Sequence, residues 1–188
     1  VKILPSISQL IDESVIVQKI REVSIDDLLG REPVNLDIEE VSSYLGGKVV
    51  IVTGGGGSIG SELCRQIASF TPKQLIILDN YENNAYDIQN ELLFKYPDLN
   101  LETVIANIRE KHRMDYIFKK YKPDVVFHAA AHKHVPLMEA NPTEAIKNNV
   151  FGTTNVVECA DRYGVKRFIL ISTDKAVNPI NLYGATKL

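Results

Sequence analysis

Residues Lys48–Leu63 read KVVIVTGGGGSIGSEL: a short apolar, β-branched run, four glycines, then a stretch with apolar residues at helical spacing. That order predicts a buried strand, a tight turn and a helix. Gly54, Gly57 and Gly60 stand in a G-x-x-G-x-x-G spacing, and Gly55, Gly57 and Gly60 also satisfy G-x-G-x-x-G. Four consecutive glycines meet many patterns by chance, and a flexible turn is the plain alternative. Position favours the specific reading, because a glycine loop between a first strand and a first helix lets backbone approach a pyrophosphate. The open N–H groups of the helix start, around Ser58 and Ile59, stabilise such an anion.

Working outward, the same alternation recurs. QLIILD (Gln74–Asp79), LETVIAN (Leu101–Asn107), PDVVFHAAA (Pro123–Ala131) and KRFILIST (Lys166–Thr173) read as further strands. Helical patterns separate them, the last running from about Pro142 to Tyr163. Continuous apolar strands between helices predict an α/β fold, a doubly wound parallel sheet of Rossmann type covered on both faces. Residues 47–188 are expected to form this domain and residues 1–46 a connector. In the connector SIDDLLG (Ser24–Gly30) predicts a helical turn or two, and DIEEVSSYLGG (Asp37–Gly47) a short amphipathic helix.

The 188 residues, 45% hydrophobic, 24% charged and of net charge −3, fit a soluble globular protein and give no electrostatic case for nucleic acid. Residues 1–46 hold four Lys/Arg against nine Asp/Glu, so the acidity lies in the connector and the main body is near neutral. Cys64 and Cys159 are far apart in helical patterns and are expected as reduced core residues in a cytoplasmic setting. No apolar run approaches the roughly 20 residues needed to span a bilayer.

Asp79 ends the second strand about 20 residues past the glycines, where a carboxylate accepts both ribose hydroxyls of a dinucleotide. The following NYENN has no Arg or Lys to offset a 2′-phosphate, which favours NAD, with NADP as the alternative. Asp79 as a cap for the next helix is the structural alternative. Asn107 and Ile108, after the third strand, are placed at the adenine, and small Ala129, Ala130 and Ala131 at the cofactor's ribose. HAAAHKHVP brings His128, His132 and His134 within seven residues, but no Cys or carboxylate ligand stands near, so no metal is expected. Lys133 and the histidines are candidates for a substrate phosphate, against a plain surface loop.

The chain closes on ISTDKAVNPINLYGATKL (Ile171–Leu188). Tyr183 and Lys187 are i and i+4 on a helix predicted from about Asn181, and an ammonium beside a phenol favours the phenolate. Tyr183 is then a candidate base for a hydroxyl proton, Lys187 a ligand for ribose hydroxyls, and Ser172 and Thr173 orienting groups. Redox chemistry alone does not require Asp174 and Lys175. An adjacent acid and base suggest proton removal beside a new carbonyl and loss of water, against an Asp–Lys surface turn before Pro179.

These stretches, with LDNYENN and HAAAHKHVPLMEANPTEAIKNNVFGTTN, resemble the extended short-chain dehydrogenases/reductases, specifically the polysaccharide-biosynthesis group of UDP-N-acetylglucosamine 4,6-dehydratases. The resemblance spans Lys48 to the end. It implies Tyr183 as base for oxidation at sugar C4, Lys175 as acceptor of the C5 proton, and Asp174 as donor to the departing C6 hydroxyl. It implies Thr173 at the C4 oxygen, Lys187 at the ribose, and Lys133, His134 and Asn181 on the UDP-sugar side. Asn107 departs from the Asp usual in relatives. IREVSIDDLLGREPVNLD is similar to the connector of long, membrane-anchored members with a cytoplasmic catalytic domain, and a homo-oligomer is expected of the complete form. A nucleotide-sugar 4-epimerase and a non-catalytic dinucleotide-binding module are the rival readings. The fold is expected to be truncated before its substrate-binding region, with Lys187 in a fraying last turn and little turnover by the 188-residue chain alone.

Overall fold

A computed structural model of the chain describes Lys2–Ile3, Arg21–Glu22 and residues 38–188. The chain divides into two compact units, Val1–Asp37 and Ile38–Leu188. In the first, β1 (Lys2–Ile3) pairs antiparallel with β2 (Arg21–Glu22). The helical expectation over Ser24–Gly30 and the connector signature through Asp37 lie outside the described residues.

The second unit is built as its apolar periodicity requires. After α1 (Ile38–Leu45) come β3 (Val49–Thr53), α2 (Ser58–Ser69), β4 (Gln74–Asp79), α3 (Glu82–Lys95), β5 (Leu101–Ile105), α4 (Lys111–Tyr121) and β6 (Val125–His128). The order of strands is β5-β4-β3-β6-β7, every pairing parallel, with β7 at Arg167–Leu170. From β3 the chain winds outward to β5, then returns to place β6 on the other side of β3. This reversal opens a crevice beyond the carboxyl ends of β3 and β6, where ligands of such sheets bind.

Alternate strand residues feed two cores. Val50, Val52, Leu75 and Ile77 pack with Cys64 and Ile67 of α2 and Ile88 and Leu92 of α3, and Leu45 of α1 joins them. Ile51, Ile76, Leu78 and Val126 pack with Met114, Ile117 and Phe118 of α4 and with Val156 and Cys159 of α7 (Thr153–Arg162). Both cysteines are free and buried, as expected of core residues, and burial pushes the Cys64 thiol up to about 12. Among the described residues no helix is long and apolar enough to cross a membrane.

Three departures from the expected elements matter for the site. β6 stops at His128 and β7 at Leu170, so Ala129–Ala131 and Ser172–Thr173 are loop, free to face a ligand. The single helix expected over 142–163 is α6 (Pro142–Ala145), a π-helical stretch (Ile146–Gly152) and α7. Before them, α5 (Val135–Ala140) forms directly behind the histidine-rich stretch.

His128 is corrected from a phosphate-facing candidate to a core residue. It is fully buried, with Nδ1 2.6 Å from the Thr53 hydroxyl and Nε2 2.9 Å from the Thr153 hydroxyl. The side chain thereby ties the ends of β3 and β6 to the start of α7. Burial, reinforced by the Lys187 ammonium, holds its pKa down at about 3 against an ordinary 6.5. The unfolded chain therefore binds the proton first as pH falls, and stability present above the ordinary value is lost between about pH 6.5 and 3. The full loss attributable to this group is about 5 kcal/mol. Denaturant unfolding at stepped pH should show a shallower pH dependence in His128→Gln than in the parent; identical slopes would contradict the assignment.

Candidate active site

The crevice begins with the glycine loop. Gly54 and Gly55 donate to the Leu78 carbonyl, at 2.8 and 3.2 Å, which turns the chain sharply off β3. Gly54 has φ +67°, and a Cβ there would stand 2.7 Å from the Ala130 nitrogen and Cα. A Cβ on Gly60 would lie 2.0 Å from the Gly54 carbonyl oxygen. Only glycines allow α2 to seat this close behind the loop. The N-cap of α2, Gly57, brings no side chain, so the first helical N–H groups, from Ser58, are left to a ligand. The result is an open cleft lined by Gly54, Gly57, Asp79, Asn107, Ile108 and Ala129–Ala131, among others. Ser58 and the exposed Ile59 stand at its helix-start rim.

Asp79 is mostly buried, and both of its oxygens are engaged. Oδ2 accepts the Gly56 N–H at 2.9 Å and Oδ1 accepts the Tyr81 N–H at 2.9 Å. The carboxylate thus braces the glycine loop and the turn into α3, while each oxygen keeps capacity for a further donor. Asn107 Oδ1 accepts the Arg109 N–H at 3.0 Å, which leaves the Asn107 amide group for the cleft. Ile108 is pinned by Gly152, where a Cβ would come within 2.7 Å of its Cδ1. These residues fit a dinucleotide: a backbone cradle for phosphates, a carboxylate for ribose and an apolar-amide end for a base.

Sequence reasoning missed the lining groups Asn80, Asn84 and Asn148, and His132, a candidate for a substrate phosphate, lines the same cleft. Also missed is Asn149, buried in the π-helical stretch. The Asn149 amide exchanges two hydrogen bonds with the His132 backbone, at 2.8 and 2.9 Å. It further donates to the Thr186 hydroxyl at 3.0 Å and accepts from Asn148 at 3.1 Å. All four hydrogen-bonding positions of one side chain are filled. The π-helix, a geometry often found at functional sites, was the one signal, and sequence periodicity does not report it. Burial beside Arg109 holds the His132 imidazole below its ordinary pKa.

The second half of the site lies past β7. Thr173 caps a 3₁₀ turn, Asp174–Ala176; its hydroxyl donates to Asp174 Oδ1 at 2.9 Å, and the Lys175 ammonium reaches the same oxygen at 3.2 Å. These bonds, that of Thr173 first, hold the exposed Asp174 carboxyl below the usual carboxylate range. Asn181 caps α8 (Leu182–Ala185), accepting the Gly184 N–H at 2.8 Å. Lys187 stands in the turn that closes α8, its N–H donating to the Gly184 carbonyl at 3.0 Å. Its buried Nζ donates to the Ile171 carbonyl at 3.2 Å, and desolvation lowers its pKa. Among the described residues the Tyr183 hydroxyl makes no hydrogen bond. Gly184 packs directly on the Lys175 carbonyl; a Cβ there would fall 2.2 Å from that oxygen. Lys133 and His134 are exposed ahead of α5. Among the described residues no group of three or more His, Cys, Asp or Glu is arranged to hold a metal ion.

Residues 50–188 match the family model described as polysaccharide biosynthesis protein. The chain is 51% identical over its whole length to the probable polysaccharide biosynthesis protein EpsC of Bacillus subtilis, of which it spans 31%. It is 39% identical over 146 residues, 76% of the chain and 41% of the relative, to a UDP-N-acetylglucosamine 4,6-dehydratase (inverting) of Campylobacter jejuni. A UDP-glucose 4-epimerase of Rickettsia massiliae is 35% identical over 74% of the chain and 40% of its own length. Among solved structures, Pen from Bacillus thuringiensis superposes with TM-score 0.68 at 35% identity, covering 77% of this chain and 43% of that one. The dTDP-glucose 4,6-dehydratase DesIV from Streptomyces venezuelae, solved with NAD bound, gives TM-score 0.62 at 27% identity over 73% of this chain and 48% of that one. The chain spans less than half of the relatives and structures it matches. With a glycine cleft, a doubly wound parallel sheet and these matches together, it belongs to the polysaccharide biosynthesis protein family of short-chain dehydrogenase/reductase fold.

Proposed function

We propose that the full protein is a nucleotide-sugar 4,6-dehydratase that acts on UDP-N-acetylglucosamine with NAD, forming a UDP-4-keto-6-deoxy sugar. The observation that carries the reading is the packing of Gly184 on the Lys175 carbonyl. That contact joins a Tyr/Lys pair to an Asp/Lys pair at the carboxyl end of the sheet. NAD is favoured over NADP because Asp79 meets the ribose edge and residues 80–84 hold no cation.

Gly54, Gly57 and the start of α2 would hold the pyrophosphate, Asp79 the ribose, and Asn107 and Ile108 the base. When bound, the nicotinamide supplies reversible hydride acceptance. Tyr183 Oη takes the proton of the C4 hydroxyl, and Thr173 and Lys187 keep oxygen and ribose in place. The C4 carbonyl acidifies the C5–H, whose proton passes to Lys175 Nζ. Asp174 gives a proton to the C6 oxygen, which departs as water. C6 would then regain the hydride taken from C4, and C5 a proton from Lys175 Nζ, so sugar oxidation and reduction balance and the net change is loss of one water.

This assignment needs Lys175 neutral and Asp174 protonated, the reverse of their resting ion pair. One proton moved from Nζ to the carboxylate, across the 3.2 Å contact, generates both active forms at once. In water that transfer is unfavourable. Desolvation under a bound sugar disfavours the charged pair and brings the neutral pair within reach. Lys133 and His134, from the exposed end of the same site, would meet the diphosphate.

A 4-epimerase is the rival reading, supported by the Rickettsia relative, and it has no use for Asp174 and Lys175. The full-length protein incubated with UDP-N-acetylglucosamine in deuterium oxide should release a 4-keto-6-deoxy product labelled at C5. Asp174→Asn and Lys175→Ala should each slow dehydration about 100-fold or more while leaving NAD binding intact. A C4 epimer without water loss, or unchanged turnover in both variants, would overturn the reading. Gly184→Ala should depress dehydration without weakening NAD, because the added methyl must drive the Lys175 turn from α8.

A further inference from the structure

One contact to the Tyr183 helix comes from outside the two motifs that flank it. Glu139, on α5, accepts the Leu182 N–H through Oε1 at 2.7 Å, across 43 residues of sequence. Leu182 opens α8, and the local cap is already supplied by Asn181. The Leu182 amide is an exposed donor that water would satisfy. A remote carboxylate in that place therefore serves orientation more than hydrogen-bond supply. A charged acceptor also makes the bond shorter and more directional than a neutral one.

The element that carries Glu139 explains what is being oriented. α5 begins directly after Lys133 and His134, both exposed, and packs against α8. Its six residues form little more than one rigid turn and a half, so displacement at its start reaches Glu139 with little loss. The remaining contacts hold α8 and the two residues after it: Thr186 by Asn149 of the π-helical stretch, Gly184 by the carbonyl of Lys175 in the 3₁₀ turn, Lys187 by the Ile171 carbonyl just past β7. Asn149 also reaches that end, through the His132 backbone, but it meets Thr186 past the helix, whereas Glu139 holds the first residue of α8 from an element that starts at Lys133–His134.

We propose that Glu139 is a positioning residue for Tyr183, and that α5 transmits engagement of a nucleoside diphosphate at Lys133–His134 to the Tyr183 helix. The inference rests on the preceding assignment of those two residues to the sugar nucleotide and of Tyr183 to the proton transfer. Glu139 touches neither sugar nor cofactor in this role; it sets where the phenol stands.

The test uses the full-length protein, Glu139→Ala and Glu139→Gln, with UDP as probe and calorimetry to establish that UDP binds. Amide hydrogen exchange is followed at Leu182 and Tyr183. In the parent, UDP should slow exchange at these amides several-fold. Glu139→Ala should raise their basal exchange about tenfold and abolish the UDP effect, whereas Glu139→Gln, which keeps an acceptor oxygen, should retain it. With UDP-N-acetylglucosamine, Glu139→Ala should lower kcat about tenfold with KM within twofold, and Glu139→Gln should restore it. UDP protection that persists in Glu139→Ala overturns the proposal, as does Glu139→Gln falling as far as Glu139→Ala. If UDP binds and transmits but no dehydration occurs, the coupling stands and the reaction assigned above fails. Absence of UDP binding removes both.

Discussion

Among the described glycines the closest approach is that of α2 to the glycine loop, where Gly60 meets the Gly54 carbonyl with no room for a side chain. It decides how far the helix can advance toward the sheet, and so where its open N–H groups point. The Asp79 carboxylate then clamps the loop from the neighbouring strand through the Gly56 N–H. Behind this pair, β3 is buried on both faces, and its neighbours β4 and β6 inherit their register from it. The open helix start and the held carboxylate that the proposed dinucleotide site would use arise as consequences of packing; little of the site depends on flexible side chains.

His128 ties the strands under this loop to the start of α7. It could have been a titrating group facing a ligand, but Thr53 and Thr153 occupy both of its nitrogens in a dry setting. A neutral imidazole there leaves Lys187 as the buried cation nearby. The Asn149 amide performs a similar service, joining the His132 loop to Thr186 with no valence unused. Two buried polar side chains, each saturated, brace the cleft: His128 ties β3 and β6 to α7, and Asn149 ties the His132 loop to Thr186.

Much of this was legible from residues alone. The five central strands, the glycine loop and Asp79 follow from apolar periodicity and from turn chemistry that only glycine satisfies. Strand ends were overread at Ala129–Ala131 and Ser172–Thr173, because small and β-branched residues suit a strand and a cofactor loop equally well. The Ile171 carbonyl that holds the buried Lys187 ammonium lies 16 residues back and was not foreseen. Asn149, Glu139 and the burial of His128 were not readable. Each is defined by partners between 17 and 75 residues away, and local pattern carries no record of such pairings.

The central claim is that backbone closeness at the glycine loop makes the dinucleotide site. Calorimetric titration of the full-length protein with NAD, parent against Gly60→Ala, tests it most directly, with circular dichroism to report that the sheet is retained. A Gly60 methyl cannot coexist with the Gly54 carbonyl, so the account predicts at least a hundredfold weaker NAD binding in a protein that still folds, about 3 kcal/mol of binding free energy. Equal affinity in the two proteins would contradict it.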